Sequence, residues 1–205
     1  MVIFNMENGM GKLTLTRALQ FIAAGLLLPS LAYAHTGVGE ASGFVHGLAH
    51  PTSGLDHVCA MLAVGLWAAQ MGGRSVWVVP LTFVSVMALG GALPALGISL
   101  PFVEQGIVLS VLLLGVLIAA AVRLPLWLSS GMVGLFALWH GHAHGAEMPE
   151  LASGIGYALG FMLVTALLHT IGIAFGLGMQ RLARERLVHT AGAGIALCGV
   201  YLAVA

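Results

Sequence analysis

Long apolar runs alternate with short polar breaks along this chain, and the runs share one length. A helix crossing the hydrocarbon layer of a bilayer needs about 20 mostly apolar residues. Stretches near 54–71, 76–96, 102–122, 124–145, 151–179 and 188–205 fit that requirement. The breaks carry turn chemistry: Gly72-Gly73, the segment from Gly97 to Pro101, Pro125 near a helix start, and Pro149. Lipid offers no partner to a free backbone amide or carbonyl, so such spans are helical. Segment 43–50, ahead of Pro51, either extends the first span outward or lies at the membrane interface. The expected fold is all-α: a polytopic transmembrane helix bundle of about six spans.

The N-terminal region follows another pattern. Lys12 and Arg17 precede a short apolar core at 21–28, then Pro29 and the small-residue site Ala32-Tyr33-Ala34. A basic start, a core too short for a span and an A-x-A site describe a cleavable secretory signal. The expected organisation is a signal peptide at 1–34 and one transmembrane helical domain at 35–205. Cleavage after Ala34 leaves His35 first, where a free amine beside an imidazole makes a candidate metal chelate facing outward.

Composition strengthens this picture. Of 205 residues, 60% are hydrophobic and 7% charged, whereas a soluble domain is about a quarter charged. Lipid is therefore the expected solvent for most of the surface. With zero formal net charge there is no basic stripe to neutralise phosphates, which argues against a nucleic-acid partner. Arg74, Arg123, Arg181, Arg184 and Arg186 fall in loops of one side, with Lys12 and Arg17, while Glu147 and Glu150 fall on the other. This is the positive-inside pattern. It predicts a multi-pass protein of the bacterial inner membrane with the mature N-terminus and the C-terminus periplasmic. Cys59 and Cys198 sit inside apolar runs and form neither a CxxC motif nor an extracellular framework. Gly156 with Gly160, and Gly172 with Gly176, have the small-xxx-small spacing of closely packed helices.

Ionisable residues within apolar spans mark functional sites by default, and they cluster twice. The first cluster, His50-Pro51-Thr52-Ser53-Gly54-Leu55-Asp56-His57, opens the first span. A carboxylate with imidazoles suits a divalent ion. Ser53-x-x-Asp56 also reads as a capping box, a role that leaves His50 and His57 unexplained. The second cluster, Trp139 to Glu147, closes the fourth span. There His140, His144 and Glu147 stand at i, i+4 and i+7, within about 60° of one helical face. His142 points away, toward another helix or water. Glu104 enters at the same outer level, either as an interfacial acid or as part of an ion path. His46, one turn before His50, reads as an entry residue or a support for the ligands, and His169 as either a packing histidine or a relay.

His50-Pro51-x-x-Gly54-x-Asp56-His57, continuing through Met61-Leu62-Ala63-Val64-Gly65-Leu66-Trp67-Ala68, resembles the HupE/UreJ family of membrane proteins. His140-x-His142-x-His144-Gly145-x-Glu147 resembles that family's second motif, with Trp139 where the family often has phenylalanine. The resemblance implies a nickel or cobalt permease supplying hydrogenase or urease maturation. It carries His50, Asp56 and His57 over to the first signature, and His144 and Glu147 to the second.

The expected activity is secondary transport of a divalent transition metal and not an enzymatic reaction. Nickel is preferred as the substrate ion, with cobalt, zinc and copper also compatible with mixed nitrogen and oxygen donors. No GxxxxGK[ST] loop is present, so ATP hydrolysis by this chain is not expected. Two alternatives use the same residues: an intramembrane zinc-type metalloenzyme acting on lipid, and a metal-binding accessory protein without transport. Imidazoles bind metal only when neutral. Initial rates of metal uptake measured across a pH series should therefore fall as pH drops through roughly 6 to 6.5, near the reference histidine value.

Overall fold

The computed structural model describes residues 40–148 and 153–205. The proposed signal segment, His35, Pro149 and Glu150 lie outside them. Among the described residues there are seven α-helices: α1 (Glu40–Ala49), α2 (Leu55–Met71), α3 (Ser75–Ala92), α4 (Val103–Ala119), α5 (Leu126–Ala146), α6 (Gly154–Arg181) and α7 (Glu185–Val204). Short 3-10 turns at His50–Thr52 and Pro94–Leu96 follow α1 and α3, and no strand occurs among the described residues. The membrane-bundle expectation holds, with α2 to α7 matching the six apolar runs to within a few residues. By length and composition Ser75–Leu96, Gly154–Arg181 and Glu185–Val204 are able to cross a membrane, while Leu55–Met71 and Val103–Ala119 are shorter apolar helices.

The helix ends follow from local chemistry. Gly72, at φ 74°, ends α2, and Gly97, at φ 71°, ends the turn after α3; a side chain there would meet the left-handed penalty. Pro125 caps α5, as its fixed φ suits a helix start. Ser153 caps α6 by accepting the Gly156 amide at 3.3 Å.

Packing against neighbours gives the directions. α2 runs parallel to α6, with His57 beside Thr165 near one end and Gly176 against Ala69 near the other. Between them Gly65 meets the His169 carbonyl. α3 runs parallel to α5, with Gly134 against Thr82 and Gly145 against Gly91. α4 and α7 are antiparallel, pairing Gly115 with Ala196 and Gly199 with Leu112. At one end Trp67 donates to the Val122 carbonyl at 2.9 Å, and Gln180 donates to the Ala69 carbonyl at 3.0 Å. That end carries Arg74, Arg123, Arg181 and Arg184 in its loops and helix termini. Along α6, Ile155, Leu159, Leu163, Leu167, Ile171 and Phe175 are exposed. Such a stripe is incompatible with a hydrated surface and natural against lipid.

The segment before Pro51 continues past the start of the first apolar run, but not as one helix with it. α1 lies along the N-terminal half of α6, where Gly47 meets the Tyr157 carbonyl and Gly160 meets that of Phe44. α2 lies along the C-terminal half. α6, about 42 Å long at 1.5 Å per residue, thus backs a broken helix whose interruption is His50–Gly54.

Backbone-to-backbone contact of this kind leaves no space for side chains. Gly65→Leu is expected to lower the Tm of the purified protein in detergent by the equivalent of about 1–3 kcal/mol or more. Gly194→Ala, which meets open space, should leave Tm unchanged or raise it by up to about 1 kcal/mol. A Gly65→Leu protein as stable as the parent would contradict the α2–α6 packing.

Candidate metal centre

The break in the first span is a set of local hydrogen bonds. Thr52 Oγ1 donates to the Ala49 carbonyl at 2.8 Å, and Ser53 Oγ and N donate to the His50 carbonyl at 2.6 and 3.1 Å. Pro51 lies within the 3-10 turn, and Gly54, extended at φ −96° and ψ 123°, restarts the chain as α2. The capping-box reading of Ser53 and Asp56 is therefore corrected: α2 has Gly54 as its N-cap without a side-chain cap, because the Ser53 hydroxyl is committed one turn back. Asp56 is half-buried in the first turn of α2, where the helix dipole favours an anion. Its Oδ1 folds over Gly54 so closely that a Cβ at that position would sit 2.5 Å away.

α5 brings the second set of donors to this break. His50 Nε2 lies 2.9 Å from Glu147 Oε2, and His144 Nδ1 lies 3.4 Å from the same oxygen. On its other side His144 Nε2 is 3.1 Å from His57 Nδ1. Two groups result, His50–His144–Glu147 and His57–His140–His144, each with ligand atoms within 4.8 Å of one another. Nitrogens bound at about 2.1 Å to one ion stand about 3.0 Å apart at a right angle and about 3.4 Å apart at a tetrahedral one. The His57–His144 separation falls between these values. Both donor sets could hold a transition-metal ion, and they share His144.

Supporting groups orient the rings, as ligating imidazoles require. Thr165 Oγ1 lies 3.3 Å from His57 Nε2, and Ser110 Oγ lies 2.9 Å from His140 Nε2. Phe161 packs on His144 and His57 with centroids 4.4 and 4.9 Å apart, and Tyr157 lies 5.9 Å from His50. None of these four belongs to the two clusters that the sequence marks. Ser110 and Thr165 were visible as lone hydroxyls in apolar runs, and Tyr157 and Phe161 as an i, i+4 aromatic pair.

Glu147, at the C-terminal end of α5, is half-exposed. Its close contact with His144, opposed by partial burial and reinforced by the hydrogen bond with His50, holds its pKa down at about 2, against 4.5 ordinarily. The carboxylate is thus ionised throughout the physiological range and supplies a fixed negative charge to the outer group. A depressed carboxylate loses its stabilising charge only as pH falls toward that low value.

The remaining candidates are placed as follows. His142 accepts the Leu100 amide at 3.2 Å and so meets the α3–α4 connection, pointing away as its spacing predicts. His46 is exposed on α1 and, with Ala49, His50, Ser53, Glu147 and Tyr157, lines a cleft of about 230 Å³. Asp56 and Glu104, the latter exposed in the first turn of α4, belong to neither three-residue group. An apolar cavity of about 270 Å³ between α3, α5 and α6 also reaches His144 and is lined by Met87, Met148 and Met162 among others. Cys59 Sγ lies 3.5 Å from Cys198 Sγ, away from both groups, and both thiols are free.

Residues 22–202 match the family model described as HupE / UreJ protein. Protein HupE of Rhizobium leguminosarum bv. viciae is 47% identical over 183 residues, covering 88% of this chain and 94% of that protein. No solved structure matches the chain.

Cobalt titration of the purified protein, followed by visible ligand-field absorption, tests the outer group. Glu147→Gln removes its charge and should weaken binding at least about tenfold, while Glu185→Gln, in the first turn of α7, should not. Equal affinity for the Glu147 variant and the parent would exclude that carboxylate as a ligand.

Proposed function

The chain belongs to the HupE/UreJ family, and from that premise we propose that it is a secondary transporter for a divalent transition metal. Nickel is the favoured ion and cobalt the next, delivered toward hydrogenase or urease maturation. The proposal includes a signal peptide at 1–34, a single domain at 35–205, and a multi-pass protein of the inner membrane with both mature termini periplasmic. The observation that carries it is the pair of donor groups joined through His144.

A hydrated ion enters the cleft beside His46, with His35 and Glu104 assigned to its approach. It exchanges water for Glu147, His50 and His144, where the carboxylate offsets the cost of stripping charge of its solvent. A neutral imidazole has one lone pair, so His144 serves one group at a time. Moving that lone pair from Nδ1 to Nε2 hands the ion to His57 and His140. Asp56, in the first turn of α2, contributes negative charge at the crossing point.

The apolar cavity that reaches His144 favours one alternative, an intramembrane metalloenzyme whose lipid substrate approaches through it. Purified protein in liposomes separates the readings: metal flux without lipid products supports the transporter, and lipid products without flux support the enzyme.

Asp56→Ala and His57→Ala are each expected to abolish uptake of radioactive nickel by cells. Full uptake by both variants would defeat the transport proposal. A panel of nickel, cobalt, zinc and copper in the same assay assigns the ion.

A further inference from the structure

His169 stands in the middle of α6, one turn beyond Thr165, the residue that touches His57. On the helix axis that is about 6 Å farther from the cleft. The side chain is 1% exposed. Its Nδ1 lies 2.8 Å from the Met61 carbonyl. A carbonyl only accepts, so Nδ1 carries the proton and Nε2 presents the lone pair. That Nε2 is buried and has no hydrogen-bond partner among the described residues.

His140 repeats the arrangement with its nitrogens reversed. The Ser110 hydroxyl gives its proton to the Ile107 carbonyl at 2.6 Å and so accepts from His140 Nε2 at 2.9 Å. The lone pair then falls on Nδ1, also buried and also without a partner. Phe83 touches both rings, with centroids 5.7 Å from His140 and 5.2 Å from His169. Each unsatisfied buried nitrogen is destabilising, and a histidine that served only packing would not need its free lone pair. Fixing one ring nitrogen by an acceptor so that the other faces inward is how proteins prepare imidazole for a metal.

We infer that His169 Nε2 is an inner ligand for the divalent cation, a station that receives the ion from the His57–His140 group on its way through the bundle. This rests on the transport reading above for its direction, though not for its chemistry. The substrate class is the same: a borderline divalent ion that accepts imidazole nitrogen, and the Met87 sulfur lies 3.8 Å from Thr165 Oγ1, one turn away on α6.

Two variants test it. His169→Gln keeps a donor for the Met61 carbonyl and removes the imidazole lone pair. His169→Cys, in a Cys59→Ser, Cys198→Ser background, replaces that lone pair with a thiol whose cadmium complex has an ultraviolet charge-transfer band. Nickel flux is measured in liposomes, cobalt affinity by absorption titration, and the cadmium–thiolate band on the purified protein. The expected result is a flux at least tenfold lower for His169→Gln, cobalt affinity within threefold of the parent, and a saturable cadmium–thiolate band for His169→Cys. Nickel flux of His169→Gln at the parental rate would overturn the inference. So would loss of flux together with loss of cobalt binding, which marks a packing role, or absence of the cadmium band in a protein that still binds cobalt. If the parent itself moves no nickel, the transport reading fails, and the cadmium band alone decides whether His169 is an inner ligand.

Discussion

The contact between His57 and His144 is the interaction on which the rest depends. Two imidazoles 3.1 Å apart, one of them fully buried, sit inside a bundle whose other faces are apolar. Neutral rings at this spacing gain little from each other, and burial removes their water. The arrangement persists because fixed partners hold two of the other nitrogens, Thr165 that of His57 and Ser110 that of His140, while the Glu147 carboxylate lies 3.4 Å from His144 Nδ1. What remains is a set of inward-facing donors that no group within the bundle fully satisfies.

Holding those donors together is a backbone problem before it is a side-chain one. His50 and His57 come from one run of sequence, yet a continuous helix would lock their relative directions. The 3-10 turn at His50–Thr52 and the extended Gly54 let each ring be aimed separately, while α6 carries the two halves like a splint. The opposite wall depends on Gly141 and Gly145, which let α5 lie directly against the α3 backbone at Met87 and Gly91. Gly141 and Gly145, which follow His140 and His144 in α5, are therefore packing elements, and they bring those two histidines close to α2. Discontinuous helices whose irregular backbone lines a polar cavity are the forms that a membrane tolerates at such depth.

Much of this was readable from the residues because lipid imposes so few solutions. Span positions followed from run length, and the side facing the arginines followed from loop charge. The i, i+4, i+7 spacing of His140, His144 and Glu147 placed three donors on one face without any tertiary knowledge. The break at Pro51 was less accessible. Proline there is compatible with a helix start as well as with a turn, and the Ser53 hydroxyl had two plausible partners, an amide ahead to accept from and a carbonyl behind to donate to. The structure selects the His50 carbonyl, and the capping box is lost. Ser110, Thr165 and Phe161 were harder still, since partners across helices depend on rotations that no single-helix pattern encodes. His169 shows the limit well: its position in α6 was plain, but the meaning of its ring lies in a carbonyl on α2.

Charge separates the two donor groups, and this bears on why a carrier would have both. The outer group includes an ionised carboxylate, so a divalent ion there is partly neutralised by its own ligands. The group formed by His57, His140 and His144 contains only neutral donors, and an ion in it keeps its full charge in a medium that solvates charge poorly. Binding is therefore expected to be stronger at the mouth and weaker within. A storage or sensing protein gains nothing from a second, poorer site beyond the first. A carrier does, because an ion held everywhere as firmly as at Glu147 would not leave. In the proposed carrier, the shared ring of His144, able to offer its lone pair in only one direction at a time, would keep the two groups from filling together and make the weaker one a point of passage.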